Sequence, residues 1–269
     1  MSAPVVITAP DGARASIHPH GAQVGSWIPA GGAEQLFVPA KAELGDAAFM
    51  GGVPVCFPQF AAGPLPLHGF ARDLKWTAGD HGIEGRSAWA SFRLADAGPM
   101  AGRWPHTFAL ELRASVGGPS LTIALKVENT GVRSWYFTGA LHTYLRVSDI
   151  GGVTVAGLEG APFMDKMRNG AQAAQAEAAL RLTGETDRVY LGARGPLTLR
   201  DGGRSLEIAS TGFPDVVIWN PWSGAEQRFP EFGPDDYRRM LCLEAALTVQ
   251  PVSLGRGERW EGSQRITIC

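Results

Sequence analysis

Apolar and polar residues alternate with a period of two along several short segments of the chain. In the segment 108–116, the Phe, Leu and Val residues share one face and Glu, Arg and Ser share the other. In the segment 121–128, Leu, Ile and Val oppose Thr, Lys and Glu in the same way. This period predicts strands with one buried and one solvated face. Further strands are predicted at 88–94, 205–208, 216–219, 241–249 and 265–268.

Helical patterns are few. The segment 171–182 is rich in Ala, Gln and Glu, which predicts a short helix or a mobile loop. The segment 234–240 begins with Pro and predicts one or two helical turns. Strands and helices do not alternate, and 35 Gly and 19 Pro residues are spread along the whole chain. We therefore predict one all-β domain over residues 1–269, an antiparallel two-layer sandwich.

Composition and charge narrow the function classes. The formal net charge is −2, which disfavours a nucleic-acid partner because such proteins carry a basic stripe. The three cysteines, Cys56, Cys242 and Cys269, do not make a disulfide framework. No signal peptide and no apolar run long enough to span a membrane are found in the sequence. We expect a cytoplasmic, monomeric protein without a membrane or nucleic-acid partner.

Two predicted strands each carry one reactive side chain on the less apolar face. In the segment 138–150, His142 shares a face with Tyr144, whereas Leu residues point the other way. In the segment 239–249, Glu244 opposes a Leu-rich face and lies between small apolar neighbours, which should raise its pKa and improve it as a base. The alternatives are a surface histidine bonded to Tyr144, and a surface glutamate or one paired with Arg239.

Other segments offer ligand-binding side chains. His68 and Arg72 lie in a loop region, 50–76, that is dense in Gly, Pro and aromatic residues. Asp187 could accept hydrogen bonds from sugar hydroxyls. Trp219 and Trp222 could stack on a pyranose, although the usual alternative for such tryptophans is a place in the core.

Metal and nucleotide sites are not indicated. The sequence contains no HExxH, CxxC, GxGxxG, P-loop or GxSxG motif. A zinc site made from His68, His142, Cys56 and Cys242 is the weakest alternative. We therefore expect neither a metal nor a cofactor.

The ordered set of motifs resembles the glucose-6-phosphate 1-epimerases of the galactose mutarotase-like superfamily. The motifs are GGVPVCFPQF, HGFAR, LHTYLRVSDI, ETDRVY, VVIWNPW and MLCLEAA, within residues 50–246. The resemblance implies a large twisted β-sandwich, the galactose mutarotase-like supersandwich, with an open polar groove. It also implies that His142 is the general acid and Glu244 the general base, and that His68, Arg72 and Asp187 bind the substrate.

Two positions depart from the family pattern. Met50 stands where members typically carry Arg, and Leu67 stands where many carry Gln. Loss of a guanidinium removes a bidentate phosphate contact. Arg72 remains, and Lys75 or Lys166 could compensate.

The function expected from the resemblance is mutarotation of a hexose 6-phosphate, with ionised Glu244 and protonated His142 as starting states. The alternatives are a mutarotase for unphosphorylated aldoses and a non-catalytic carbohydrate-binding protein on the same scaffold. A glycoside hydrolase is disfavoured, because it usually needs two acidic residues and we identify one. The partner expected in each case is a small sugar or sugar phosphate.

Overall fold

The computed structural model describes residues 3–44, 47–95, 103–193 and 195–269. Within these residues, the strands form three antiparallel sheets and helical structure is confined to short turns. The small sheet has the order β1-β2-β3, with β1 at Val5–Thr8, β2 at Arg14–His18 and β3 at Gln23–Ile28. No helix of the described residues is long and apolar enough to cross a membrane.

Two larger sheets form the body of the molecule. The first has eight strands, which are β4 (Val55–Cys56), β9 (Trp135–Leu141), β10 (Tyr144–Arg146), β12 (Pro162–Asp165), β13 (Ala171–Ala174), β15 (Thr186–Tyr190), β18 (Asp215–Asn220) and β19 (Met240–Leu254). The second has nine strands, which are β5 (Thr77–Glu84), β6 (Ser87–Ala95), β7 (Phe108–Gly117), β8 (Ser120–Asn129), β11 (Thr154–Ala156), β14 (Ala179–Leu180), β16 (Leu197–Asp201), β17 (Arg204–Thr211) and β20 (Arg259–Ile268). The first runs β13-β12-β15-β18-β19-β9-β4 with β10 also paired to β19, and the second runs β14-β11-β16-β17-β20-β8-β7-β6-β5.

The main core lies between the two large sheets. Burial alternates residue by residue along β7 and β8, and their apolar faces join those of β19 and β20 in one cluster. Side chains on the opposite face of the eight-stranded sheet, among them Val189, Val217 and Cys242, form smaller separate clusters. The predicted all-β antiparallel sandwich is thus confirmed. The other face of the eight-stranded sheet does not pack against the nine-stranded sheet, so it is available for a ligand-binding site.

Of the two alternatives for 171–182, a short helix or a mobile loop, the short helix is wrong. Its two ends form β13 and β14, which pair with β12 and β11 respectively. The backbone groups of this Ala-rich segment are satisfied by two different sheets, and this tertiary pairing overrides helix propensity. The helical turn predicted at 234–240 is confirmed as a 3₁₀ turn at Asp236–Arg239, and a single α-helical turn, α1, lies at Ala225–Arg228.

The loop region 50–76 is held by hydrogen bonds and isolated backbone bridges at several points along its length. The Gln23 side chain donates hydrogen bonds to the carbonyls of Phe49 at 2.9 Å and Gly51 at 2.7 Å. Isolated bridges join Val53 to Val24 and Phe57 to Gly69. The loop is therefore an ordered wall beside the eight-stranded sheet.

Candidate active site

A cavity of about 570 Å³ lies on the eight-stranded sheet, on the face that does not contact the nine-stranded sheet. The lining residues are Ala48, Phe49, Met50, Pro54, Phe60, Ala61, Leu67, His68, Arg72, Asp73, His142, Tyr144, Lys166, Asp187, Val217, Trp219, Phe229, Glu231 and Glu244. Its volume lies within the range of small-molecule sites. The structure brings all five site residues predicted from the sequence to this one cavity.

Strand register brings His142 and Glu244 together. Ala245 lies opposite Leu141 and Cys242 lies opposite Tyr144, so the register between β19 and the β9–β10 segment continues across the gap. That register places Glu244 opposite His142. Cross-strand neighbours on one face approach closely, and here Nε2 of His142 lies 3.4 Å from Oε1 of Glu244.

The same register lines up four side chains in the next row of the sheet. Asp187 on β15 pairs with Trp219 on β18, which pairs with Cys242 on β19, which pairs with Tyr144 on β10. The Tyr144 ring stacks on the His142 ring, with centroids 4.8 Å apart and planes 14° apart. The row therefore adds an acidic group and two aromatic rings to the floor of the cavity beside His142.

Burial controls the protonation of the His142–Glu244 pair. It raises the pKa of Glu244 well above its usual value, against the charge of Lys166. It also lowers the pKa of His142 well below its usual value, and the charges of His68 and Arg72 act in the same direction. Desolvating an ion costs several kcal/mol, so a buried pair of this kind neutralises. Both shifts favour the neutral forms over the ionised starting state expected from the sequence.

His68 reaches the cavity from a tight left-handed turn. His68 has φ 65° and Gly69 has φ 77°. A Cβ on Gly69 would lie 2.1 Å from the Phe57 carbonyl oxygen, so this position requires glycine. Nδ1 of His68 accepts a hydrogen bond from the Ala61 N–H at 3.2 Å, which leaves the proton on Nε2.

His68 is a neutral hydrogen-bond donor. Burial lowers its pKa to about 3, and the charges of Arg72 and Lys166 contribute. Its ring meets the His142 ring edge to face, with centroids 5.4 Å apart. The Nε2–H of His68 is thus a donor held beside His142.

Two cations, Arg72 and Lys166, and the carboxylate of Asp187 also line the cavity. Nζ of Lys166 lies 3.2 Å from Oδ1 of Asp187 and 5.0 Å from the centre of the Phe60 ring. Burial raises the pKa of Asp187, and Lys166 opposes this effect. Nη2 of Arg72 donates to the Leu67 carbonyl at 2.9 Å, which directs the guanidinium along the cavity wall.

The two departures from the family pattern also lie at the cavity. Met50 and Leu67 both line it. The Met50 N–H donates to Oε2 of Glu231 at 2.9 Å. Beside Met50, the thioether of Met50 and the carboxylate of Glu231 therefore stand where the family pattern predicts a guanidinium.

One of the two tryptophans proposed as stacking surfaces belongs elsewhere. Trp219 lines the cavity, with its ring nearly perpendicular to the Tyr144 ring. Trp222 packs against Tyr237 on the main core, where the common alternative placed it. Sequence reasoning gave no role to Phe60, Phe229 or Glu231, because these side chains come from loops without a periodic pattern.

Among the described residues, one group has the side-chain types of a metal site. Ligand atoms of His142, Cys242 and Glu244 lie within 4.8 Å of one another. This set differs from the zinc set weighed from the sequence, because it excludes His68 and Cys56. Burial raises the pKa of the Cys242 thiol well above its usual value, which disfavours the thiolate that a metal needs. The donor set therefore suits proton exchange better than metal binding.

Comparison with known proteins adds independent findings. The model of the aldose 1-epimerase family matches residues 4–267. A protein of Cenchrus ciliaris, named provisionally as a glucose-6-phosphate 1-epimerase, is 35% identical over 260 residues, covering 92% of this chain and 79% of that protein. A protein of Escherichia coli (strain K12) with the same provisional name is 33% identical over 239 residues, covering 87% and 79%.

A solved structure gives the same result for the fold. YeaD from Salmonella typhimurium, provisionally named a mutarotase, superposes with a TM-score of 0.91 at 28% identity. The match covers 100% of this chain and 92% of that chain. These findings confirm the resemblance inferred from the ordered motifs and the predicted fold.

Proposed function

This chain belongs to the aldose 1-epimerase family, and from that premise we propose that it is a mutarotase acting on a hexose 6-phosphate, with His142 and Glu244 as its acid–base pair. The observation that carries the proposal is the 3.4 Å contact between Nε2 of His142 and Oε1 of Glu244 at a sugar-sized cavity. Binding alone needs no acid–base pair, so this contact favours catalysis over the non-catalytic alternative.

Anomer exchange needs one proton acceptor and one proton donor on the same anomeric centre. Glu244 takes the proton of the O1 hydroxyl while His142 gives a proton to the ring oxygen, and the bond from C1 to the ring oxygen breaks. The open aldehyde turns about its C1–C2 bond, and the two groups reverse their roles when the ring closes on either face. Positioned proton transfer of this kind contributes about 10²–10⁴-fold.

The neutral pair reaches the ionised state that this reaction needs by moving one proton from Glu244 to His142, with no proton taken from solvent. The transfer leaves the net charge of the pair unchanged. Substrate hydroxyls replace lost hydration and thereby stabilise the ionised form. The neutral Nε2–H of His68, beside His142, donates to a substrate oxygen.

The substrate phosphate is assigned to the cationic side of the cavity. Arg72 donates to the carbonyl of Leu67, next to His68. Lys166 lies over the Phe60 ring, which contacts the His68 ring, so both cations lie on the His68 side of the cavity. Arg72 offers a fork of N–H donors and Lys166 offers a point charge. The names of the two relatives also point to glucose 6-phosphate.

Exchange NMR of the anomeric protons of glucose 6-phosphate, glucose and galactose tests the reaction and the substrate together. We expect the highest kcat/KM with glucose 6-phosphate, and we expect Arg72→Met to reduce that value more than the value for glucose. We also expect Glu244→Gln to reduce exchange by about 10²–10⁴-fold, because the amide cannot accept the O1 proton.

The control is Glu128→Gln, which changes an exposed-face carboxylate on β8 of the other sheet and should keep wild-type exchange. If Glu244→Gln retained wild-type exchange, the role of Glu244 would be refuted. Equal kcat/KM for glucose and its phosphate would instead favour the second candidate, a mutarotase for unphosphorylated aldoses. That candidate draws on the Met50–Glu231 contact, where a thioether and a carboxylate stand in place of the guanidinium of the family pattern.

A further inference from the structure

The backbone leaves the regular ladder at His142, in the gap between β9 and β10. The Thr143 N–H donates to the Leu141 carbonyl at 3.0 Å, which closes a γ-turn around His142. The His142 N–H donates to the Pro54 carbonyl at 3.0 Å, which continues the register of β4 against β9. In a regular ladder the Thr143 N–H would meet the Leu243 carbonyl on β19. Because that N–H turns to Leu141 instead, the Leu243 carbonyl needs another donor, and the link between β19 and the turn at His142 depends on further contacts.

Gln264 supplies such contacts from the opposite sheet. It lies on β20, with 1% of its surface exposed. Its Oε1 accepts a hydrogen bond from the Thr143 hydroxyl at 2.5 Å, and its Nε2 donates to the Leu243 carbonyl at 3.0 Å. Thr143 follows His142 and Leu243 precedes Glu244, so one amide joins the two strands next to both members of the pair.

A backbone hydrogen bond joins the same two residues, Thr143 and Leu243. The Leu243 N–H donates to the Thr143 carbonyl at 3.0 Å. Thr143 is fully buried, so its hydroxyl must find a partner inside the protein. A hydrogen-bonded network in such a low-dielectric interior is rigid when every member is satisfied. These hydrogen bonds therefore hold the two strands together on their core-facing side, directly behind the acid–base pair.

We propose that Gln264 and Thr143 are positioning residues, which hold the His142 imidazole against the Glu244 carboxyl by clamping the turn at His142 to β19. The proposal rests on the proposed function and deepens it. Neither side chain lines the cavity, so neither contributes to substrate affinity directly. Their loss should reduce kcat and leave KM unchanged, because it removes geometry needed in the transition state.

The test uses Thr143→Val and Gln264→Met, which keep volume and remove the hydrogen bonds. We expect each variant to lower kcat by on the order of 10- to 100-fold, since displacements of about 1 Å have effects of this size. Thr143→Ser should retain most of the activity because it keeps the hydroxyl. The double variant should be no slower than the slower single variant, because both substitutions remove the same contact.

A matched control separates positioning from stability. Asn129 is another fully buried amide, which donates to the carbonyls of Arg133 and Leu254 at 2.9 Å each, and it does not line the cavity. Asn129→Leu should lower the Tm but leave kcat within about twofold of wild type, since the bond to β19 that it removes lies at Leu254, at the far end of that strand from Glu244. If Thr143→Val and Gln264→Met also lowered the Tm and left kcat unchanged, the positioning role would be overturned.

A second readout does not depend on turnover. In protein labelled with ¹⁵N-histidine, the His142 imidazole signals should shift in Thr143→Val and Gln264→Met and remain in place in Asn129→Leu. Unchanged His142 signals in the first two variants would also overturn the proposal. If the wild type showed no anomer exchange at all, the proposed function would fail, and these signals would still decide whether Gln264 positions His142.

Discussion

At the scale of single residues, burial shifts the pKa values of His142 and Glu244 in opposite directions, and both shifts favour the neutral side chain. The sequence correctly indicated that desolvation raises the pKa of Glu244. It did not indicate that His142 is desolvated as well and lies near His68 and Arg72, which lower its pKa. In the proposed reaction, the ionised pair is therefore formed by proton transfer from Glu244 to His142.

These shifts predict the state of His142 in the unliganded protein. A free imidazole is half protonated at about pH 6.5, but the lowered pKa of His142 keeps it neutral as the pH falls below that value. Nε2 faces Oε1 of Glu244, whose pKa is raised, so we expect Glu244 to donate to Nε2 and the imidazole to carry its proton on Nδ1. The ¹⁵N chemical shifts of His142 at pH 6 measure both properties, with His142→Gln to assign the signals. An imidazolium pattern at pH 6 would contradict the prediction.

At the scale of secondary-structure elements, the turn that carries His68 depends on one glycine. Gly69→Ala would place a Cβ 2.1 Å from the Phe57 carbonyl oxygen, in a residue with φ 77°. The left-handed conformation alone costs an alanine about 1–2 kcal/mol, and the clash must add to this cost. We expect a larger loss in the free energy of urea unfolding, together with a raised KM because His68 and Arg72 move.

Gly85→Ala, in the turn between β5 and β6, is the control for that measurement. Gly85 has φ 60° and no atom within 4 Å of an added Cβ, so only the conformational cost remains. Equal losses of stability in the two variants, with an unchanged KM for Gly69→Ala, would show that the close approach to Phe57 is unimportant.

The elements also show why the sequence predicted some features and missed others. A period of two revealed β7 and β8, and it placed His142 and Glu244 on the correct faces of their strands. Their meeting depends on the register of β19 against the β9–β10 segment, and register between distant strands leaves no local trace in a single sequence. The helix predicted for the Ala-rich segment 171–182 was wrong for a related reason. Its strands β13 and β14 exist only because they pair with β12 and β11.

At the scale of the whole molecule, the cavity places titratable groups where their charged forms are unfavourable. Burial lowers the pKa of His68 and of His142, and it raises the pKa of Glu244. Such groups make the stability of the fold depend on pH. The site is thus a source of acid sensitivity as well as of chemistry.

The pKa of His68 is about 3 in the folded protein, against 6.5 for the ordinary group, and this difference sets the direction in which His68 changes stability with pH. Between these values the unfolded chain binds a proton that the folded protein does not, so the contribution of His68 to stability is lost as the pH falls from about 6.5 to about 3. His142 acts in the same direction. Glu244 acts oppositely, because its raised pKa lets the folded protein keep a proton above pH 4.5 that the unfolded chain has lost.

His68→Asn isolates one of these contributions, and Asn is suited to the left-handed backbone at this position. We expect the free energy of urea unfolding to fall less steeply between pH 7 and pH 4 in this variant than in the wild type, because one proton uptake on unfolding is removed. His81→Asn, at an exposed histidine on β5, should follow the wild-type curve. Parallel curves for wild type and His68→Asn would show that His68 binds its proton equally well in the folded and the unfolded protein, and its assignment as a donor that stays neutral would then be withdrawn.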